Sequence, residues 1–271
     1  MTNQALHDRE SEFHDKWANE TSLDSIQPSL FFESATSLEN AILLDLVKDF
    51  SDLKVLDVGC GLGESSVYFA TRGANVTAMD LSPEMVRLTS QLAQKHHVTL
   101  ESIAHAGETL PFDNNTFDLV YLANIIHHVS DRDSLLKEIK RVLKPGGLYF
   151  SWDPVAYNPV INVYRRMASE VRTPDEEPLT VKDFKRIQDY FPDASFKTTW
   201  FLTLSLFLKY YLVDRLNPNE TRYWKHIMSE TPKSLIWWKP LLLLDQILLQ
   251  IPGLRWLTWN ITVWGRKSVD S

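Results

Sequence analysis

The sequence predicts an α/β protein built on a parallel sheet with crossover helices, and three observations carry that reading. Between residues 54 and 152, short apolar strand-like runs alternate with segments of helical period. A glycine-rich turn, Gly59-Cys60-Gly61-Leu62-Gly63, joins the first strand to the first of those helices. The helix ends carry matching punctuation. Ser82-Pro83-Glu84 supplies an N-cap, a first-turn proline and an acid for the helix dipole, and Lys144-Pro145-Gly146-Gly147 closes a later helix.

In chain order, strands are expected near 53–58, 75–79, 99–104, 117–122 and 147–152, with helices near 63–72, 82–96 and 132–144. Gly73 suits the C-terminus of the first helix, and Leu135, Leu136, Ile139, Val142 and Leu143 set the helical spacing of the third. Upstream, residues 38–50 are periodic enough for one amphipathic helix. Downstream, residues 153–193 are rich in proline and charge, with Thr180 as the N-cap of a helix ending near Tyr190. A strand at 196–201, apolar helices at 202–216 and 235–249, and a last strand at 259–267 complete the chain. This divides into a helical lead-in at 1–50, a core at 51–152, and a segment at 153–271 that completes the same domain.

Composition narrows the function. With 44% hydrophobic and 23% charged residues the chain has ample material for a packed core. A net charge of -7 gives no overall basic field, so nucleic acid is not expected as a partner. The single cysteine, Cys60, forms no internal disulfide, and the first 17 residues carry acids and no apolar run. A cytoplasmic location without secretory signal or lipidation is therefore expected. The most apolar stretch, 235–264, is broken by Lys239, Pro240, Asp245, Gln246, Gln250, Pro252 and Arg255. It offers no uninterrupted membrane span of roughly 18 residues.

The glycine-rich turn specifies a kind of cofactor. Asp80 closes the second strand, where a Rossmann-type fold places an acid for a ribose diol. A dinucleotide fingerprint would need its third glycine at the position of Glu64, whose carboxylate repels a pyrophosphate. The pattern is instead Asp57-x-Gly59-x-Gly61-x-Gly63, with an acid at the end of strand one. A cofactor with a cationic end suits those carboxylates, and S-adenosylmethionine carries both a sulfonium and an ammonium.

Four segments in order extend this. VLDVGCGLG (55–63), the acid of VTAMDLSPEMV (76–86), LPFDNNTFDLVYLANIIHHV (110–129) and RVLKPGGLYF (141–150) resemble successive motifs of the class I S-adenosylmethionine-dependent methyltransferases. The resemblance is to the branch that includes the ubiquinone/menaquinone-type enzymes, and it covers roughly residues 30 to 155. It implies a Rossmann-like, seven-stranded, mostly parallel sheet with helices on both faces, its last strand antiparallel, and helical cap insertions that recognise the acceptor. It also implies that Gly59, Cys60 and Gly61 approach the methionine part of the cofactor, that Asp57 anchors that end, and that Asp80 holds the ribose hydroxyls. Leu81 and Met85 would flank the adenine. One departure is plain: Ala106 of His105-Ala106-Gly107-Glu108 stands where relatives carry an aspartate, which leaves the adenine edge to Ala106, Gly107 or Glu108. Asn124 would meet the methionine end through its main chain, or serve as a turn residue.

By the same resemblance, the reaction is methyl transfer with S-adenosylhomocysteine as product. The aromatic residues gathered in the last third, among them Trp200, Phe207, Tyr210 and Trp237, point to a small, apolar or aromatic acceptor methylated at oxygen or nitrogen. Methyl transfer is an in-line displacement from a good leaving group, so alignment and exclusion of water dominate. A hydroxyl or ammonium acceptor must also lose a proton, a task suited to histidine. His127 and His128 follow the fourth strand, at the carboxyl edge where α/β sheets place ligands, and serve either as base or as pocket wall. Asp153, after strand five, is the third catalytic candidate, and Tyr157 and Asn158 are candidates for the acceptor pocket. Asp153-Pro154 and Asn158-Pro159 are equally ordinary turn formers. No metal-ligand cluster is expected.

Phe13-His14-Asp15-Lys16-Trp17 resembles the lid helix of that family, which makes His14 and Trp17 further acceptor-side candidates. Trp17 would face the sulfonium through a cation–π contact or pack on the surface. The run Arg172-Thr173-Pro174-Asp175-Glu176-Glu177 reads as a solvated loop with local ion pairs. Residues 235–244 admit three readings: core packing, lining of an apolar acceptor pocket, or an interfacial face on a membrane. Three alternative functions stay open: a lipid or quinone-like acceptor at a membrane surface, a nicotinamide-dependent oxidoreductase, which Glu64 disfavours, and a non-catalytic cofactor-binding partner protein.

Overall fold

The computed structural model describes residues 3–229, 236 and 238–269. Seven strands form one sheet: β1 (Lys54–Val58), β2 (Asn75–Asp80), β3 (Glu101–Ala104), β4 (Phe117–Ala123), β5 (Leu143–Pro154), β6 (Ser195–Thr199) and β7 (Asn260–Arg266). Their spatial order is β3-β2-β1-β4-β5-β7-β6. The first five pair in parallel, and β7 runs antiparallel to both β5 and β6, as the resemblance implies. The helices are α1 (Asn3–Glu20), α2 (Pro28–Glu33), α3 (Leu38–Leu46), α4 (Glu64–Thr71), α5 (Pro83–Lys95) and α6 (Arg132–Val142). They continue with α7 (Pro159–Met167), α8 (Val181–Tyr190), α9 (Ser205–Leu212), α10 (Tyr223–His226) and α11 (Trp238–Leu248).

Local chemistry explains the element ends. Ser82 Oγ accepts from Met85 N at 3.1 Å to open α5, and Asp131 accepts from Ser134 N at 3.0 Å to open α6. Thr180 and Asp183 form a reciprocal capping box at α8. Three expectations need correction. β6 stops at Thr199 because Trp200 turns into the left-handed region (φ 69°). The helix expected from 202 starts only at Ser205, because the backbone N–H groups of Phe201, Leu202 and Thr203 point to the Asp245 carboxylate of α11. The helix expected from 38 to 50 ends at Leu46. Of the helix expected at 235–249, residues 235 and 237 lie outside the described residues, and α11 covers Trp238–Leu248.

Alternation along the central strands builds the two core layers. Val120 and Leu122 of β4 face Leu135, Leu136 and Ile139 of α6 and Ile187 of α8. Leu119 and Tyr121 face the other side, with Phe32 of α2, Leu43 of α3 and Phe69 of α4. The aromatic residues of the last third mostly pack on one another. Tyr164, Trp200, Phe207, Tyr210, Tyr223 and Trp238 form a separate core within the helical cap. A fourth cluster, Ala18 with Met85, Leu88 and Leu92, seats α1 on α5.

Candidate functional site

The turn after β1 is built to bring backbone close to a ligand. Gly59 has φ 72°, and a Cβ there would lie 2.0 Å from Ile125 Cδ1, so only glycine fits. Gly61 N donates to Asp80 Oδ2 and Ser82 N to Oδ1, each at 2.9 Å. Asp80 thereby ties the turn to the end of β2. Asp57 sits beneath, 1% exposed, accepting from Ser66 Oγ at 2.6 Å. Burial, reinforced by Asp80 and Glu64, pushes its carboxyl up to about 7.

Above the turn lies a cavity of ≈ 230 Å³ between the carboxyl edge of the sheet, α1 and the cap. Gly59, Cys60, Gly61, Asp80 and Leu81 line it, as do Ala106, Gly107, Glu108 and Asn124. His14, Trp17, His127 and His128 line it from the lid and from the end of β4. The candidates His14, Asp80, Glu108 and His128, scattered through the sequence, thus share one space.

Five predicted site residues stand elsewhere than expected or act indirectly. Tyr157 and Asn158 do not line the cavity. The Tyr157 hydroxyl accepts from Val181 N, while Asn158 caps α7 and donates to Leu257 O at 2.6 Å. Met85 is fully buried in the α1–α5 packing, and Asp57 lies under the turn instead of on the cavity wall. Asp153, 0% exposed, is reached only through His127. Trp17 does line the cavity, but its ring carries this chain's own cations: the Arg222 guanidinium at 4.1 Å and the Lys225 ammonium at 5.0 Å.

The histidine pair sits at the wall. His127 Nδ1 lies 2.7 Å from Asp153 Oδ1, which also accepts from His127 N at 3.2 Å. In the tautomer protonated at Nδ1, His127 donates to Asp153 and keeps Nε2 as an acceptor. Burial, with His128 and Arg172 adding, holds the imidazole well below its usual range, hence neutral, while burial pushes Asp153 up to about 7. The His127 and His128 rings stand 4.1 Å apart. His128 Nδ1 lies 3.2 Å from Glu10 Oε2, and His14 Nε2 3.5 Å from the same oxygen. Burial alone would raise the Glu10 carboxyl, but His128 and His14 hold it well below the carboxylate range.

Several cavity residues escaped the sequence reading. The run 172–177 is not a solvated loop: Arg172 and Glu176 line the cavity as a pair, Thr173 is 5% exposed, and Glu177 N donates to His127 O. Asp175 binds Arg9 of the lid, and His7 meets Glu108 at 3.0 Å, so the first turns of α1 are tied to two separate segments. Glu64 faces Lys225 Nζ at 2.7 Å. Its charge is thus partly compensated, which weakens its force against a dinucleotide.

Of the three readings of residues 235–244, lining of this cavity finds no support in α11, none of whose described residues lies on its wall. Trp238 and Asp245 are buried, but Leu243, Leu244 and Ile247 are 60%, 46% and 59% exposed. No helix among the described residues is long and apolar enough to cross a membrane.

A family model described as a methyltransferase domain matches residues 56–151. A ubiquinone biosynthesis O-methyltransferase of Xanthomonas oryzae pv. oryzae is 36% identical over 115 residues, which are 41% of this chain and 48% of that protein. The chain thus spans about half the length of such curated relatives. An uncharacterised protein of Methanocaldococcus jannaschii is 30% identical over 179 residues, 64% of this chain and 72% of the relative. Among solved structures, a phosphoethanolamine N-methyltransferase of Haemonchus contortus, in complex with phosphomonomethylethanolamine and S-adenosylhomocysteine, superposes with a TM-score of 0.60 at 19% identity. That likeness of fold covers 95% of this chain and 59% of the neighbour.

Proposed function

The chain belongs to the class I S-adenosylmethionine-dependent methyltransferases, and on that premise we propose that it methylates a small apolar or aromatic molecule at oxygen or nitrogen, within the cavity under α1. The residues present fit the cofactor. Gly61, with φ 52° and nothing within 4 Å of where a Cβ would stand, leaves open space on the cavity wall. The carboxylates of Glu10, Glu64, Asp80, Glu108 and Glu176 outnumber Arg172, Arg222 and Lys225 there, which suits a cationic ligand. In this reading Asp80 meets the ribose hydroxyls, Leu81 and Ala106 to Glu108 border the adenine, and Gly59 to Gly61 with Asn124 border the methionine end. Asp57 supports the turn from below. When bound, S-adenosylmethionine supplies the methyl group on its sulfonium.

The acceptor reading rests on the aromatic wall formed by Phe13, Phe31, Tyr164, Trp224 and Trp259 opposite the turn. His127 Nε2 takes the acceptor's proton, and Asp153 holds the ring in the tautomer that permits it. Residues 1–50 act as the lid and 153–271 complete the acceptor side. The buried lone Cys60 is in keeping with a cytoplasmic location. The test is transfer of labelled methyl from S-adenosylmethionine to a panel of small phenols, carboxylates and amines. Turnover of an aromatic member supports the reading, and cofactor binding with transfer to none of the panel defeats it.

A second reading has its own support. The exposed apolar face of α11, with Leu208 and Leu212 of α9 at 45% and 66% exposure, suits an acceptor held in a lipid surface. Co-sedimentation with anionic phosphatidylglycerol vesicles would support it, and failure to bind such vesicles would remove it.

A further inference from the structure

We propose that Glu10, His14 and His128 form a binding site for a divalent transition-metal ion, zinc or a cation of similar ligand preference, which fastens α1 onto the sheet edge. Glu10 and His14 stand one helical turn apart on the same face of α1. His128 comes from the end of β4, and one ligand atom from each of the three lies within 4.8 Å of the others. Two imidazoles and one carboxylate suit zinc, cobalt, nickel, manganese or ferrous iron.

The spacing of the donors argues for a metal over a plain ion pair. Charge-assisted hydrogen bonds close to about 2.7–2.9 Å. His127 and Asp153, in the same site, do so at 2.7 Å. Glu10 Oε2 stays 3.2 Å from His128 Nδ1 and 3.5 Å from His14 Nε2. A metal about 2.1 Å from each donor in tetrahedral or octahedral geometry sets donors roughly 3.0–3.4 Å apart. Glu10 is 5% exposed, and neither of its oxygens has a hydrogen-bond partner. A carboxylate so buried calls for a cation or strong donors, and the two histidines stand at 3.2 and 3.5 Å, longer than a closed charge-assisted bond. The remaining neighbours leave room for this. Thr173 Oγ1 reaches His128 Nδ1 only at 3.4 Å, and the Arg172 guanidinium is taken up by Glu176.

Three protein ligands leave the metal at least one open position. Since all three residues line the cavity, that position is available to an oxygen or nitrogen of a small ligand there. Loading the site needs only these side chains, so it holds or fails independently of which acceptor is methylated.

The experiment is metal binding by the full chain after removal of metal with a chelator. Titration with zinc chloride, followed by calorimetry, is expected to saturate at one equivalent, and cobalt(II) is expected to give visible d–d absorption. Glu10→Gln, which keeps the side chain's shape, and His14→Ala should each weaken binding at least about tenfold, while His97→Ala, an exposed histidine elsewhere, should not. Circular dichroism confirms that the variants fold. Absence of stoichiometric binding would leave only an ion pair and overturn the proposal. So would binding that survives both Glu10→Gln and His14→Ala.

Discussion

Asp153 Oδ1 accepts the backbone N–H of His127 at 3.2 Å and lies 2.7 Å from its ring Nδ1, with neither residue more than 5% exposed. This double contact fixes the imidazole's position, and with Asp153 ionised it selects the tautomer protonated at Nδ1, whose acceptor Nε2 lies 4.0 Å from Glu176 Oε2 on the cavity wall. Asp153→Asn offers the ring an amide that can present a donor to Nδ1 and reverse the tautomer. The expected result is a kcat lower by about a hundredfold, the range of one general base, with affinity for S-adenosylmethionine unchanged. Steady-state kinetics together with calorimetry check it, and an equal loss in cofactor affinity would assign the pair a structural role.

Asp80 has two tasks, and its loss should be felt in both. Each carboxylate oxygen accepts one backbone N–H, from Gly61 and from Ser82. Asp80→Ala removes the proposed ribose contact and leaves those two donors unmatched, at about 1.5–3 kcal/mol for a charged hydrogen bond. Affinity for S-adenosylhomocysteine should fall at least about tenfold. Asp80→Asn, which keeps an acceptor, should lose less, and calorimetry on the two variants reads the order directly.

These two sites also show what a sequence can and cannot disclose. The turn, Asp80 and His127 were legible because their chemistry is local: a strand end, a glycine that must take positive φ, an acid one strand later. The apolar run Leu119-Val120-Tyr121-Leu122 likewise marked a strand, while the division of its side chains between two core layers came only with the structure. Glu10 and Glu176 were not legible as cavity residues: each has one partner four residues away, His14 and Arg172, but the histidines that bring them to the site, His128 and His127, lie far along the chain. The run 172–177 displays charge in the sequence but not that Arg9, His127 and Arg132 take up its groups. The late start of α9 has the same cause, as its leading amides are claimed by an aspartate of another helix.

That aspartate supplies a prediction about the cap alone. Asp245, 3% exposed, accepts from the N–H groups of Phe201, Leu202 and Thr203 and from the Thr203 hydroxyl at 2.6 Å. Asp245→Ala strands buried donors at about 1–3 kcal/mol each and should loosen α9 without unfolding the sheet. Hydrogen exchange should quicken across 201–212, while β1, β4 and β5 keep their protection. Uniform loss of protection would mean that cap and core unfold as one unit.

Burial raises the Asp57 carboxyl to about 7 from an ordinary 3.8, with Asp80 and Glu64 adding and the Ser66 hydrogen bond opposing. Between those two values the folded protein holds a proton that the unfolded chain has released. Raising the pH through that window therefore favours unfolding, with a slope of at most about 1.4 kcal/mol per pH unit, and above about 7 the contribution is constant. Asp57→Asn keeps the shape and an acceptor for Ser66 but cannot ionise. Measured without cofactor, its melting temperature should match that of the parent near the acid end of the window and exceed it above pH 7. A difference that stays constant from pH 4 to 8 would show that Asp57 is already ionised in the folded protein, and would return it to the role of a charged anchor for the cofactor.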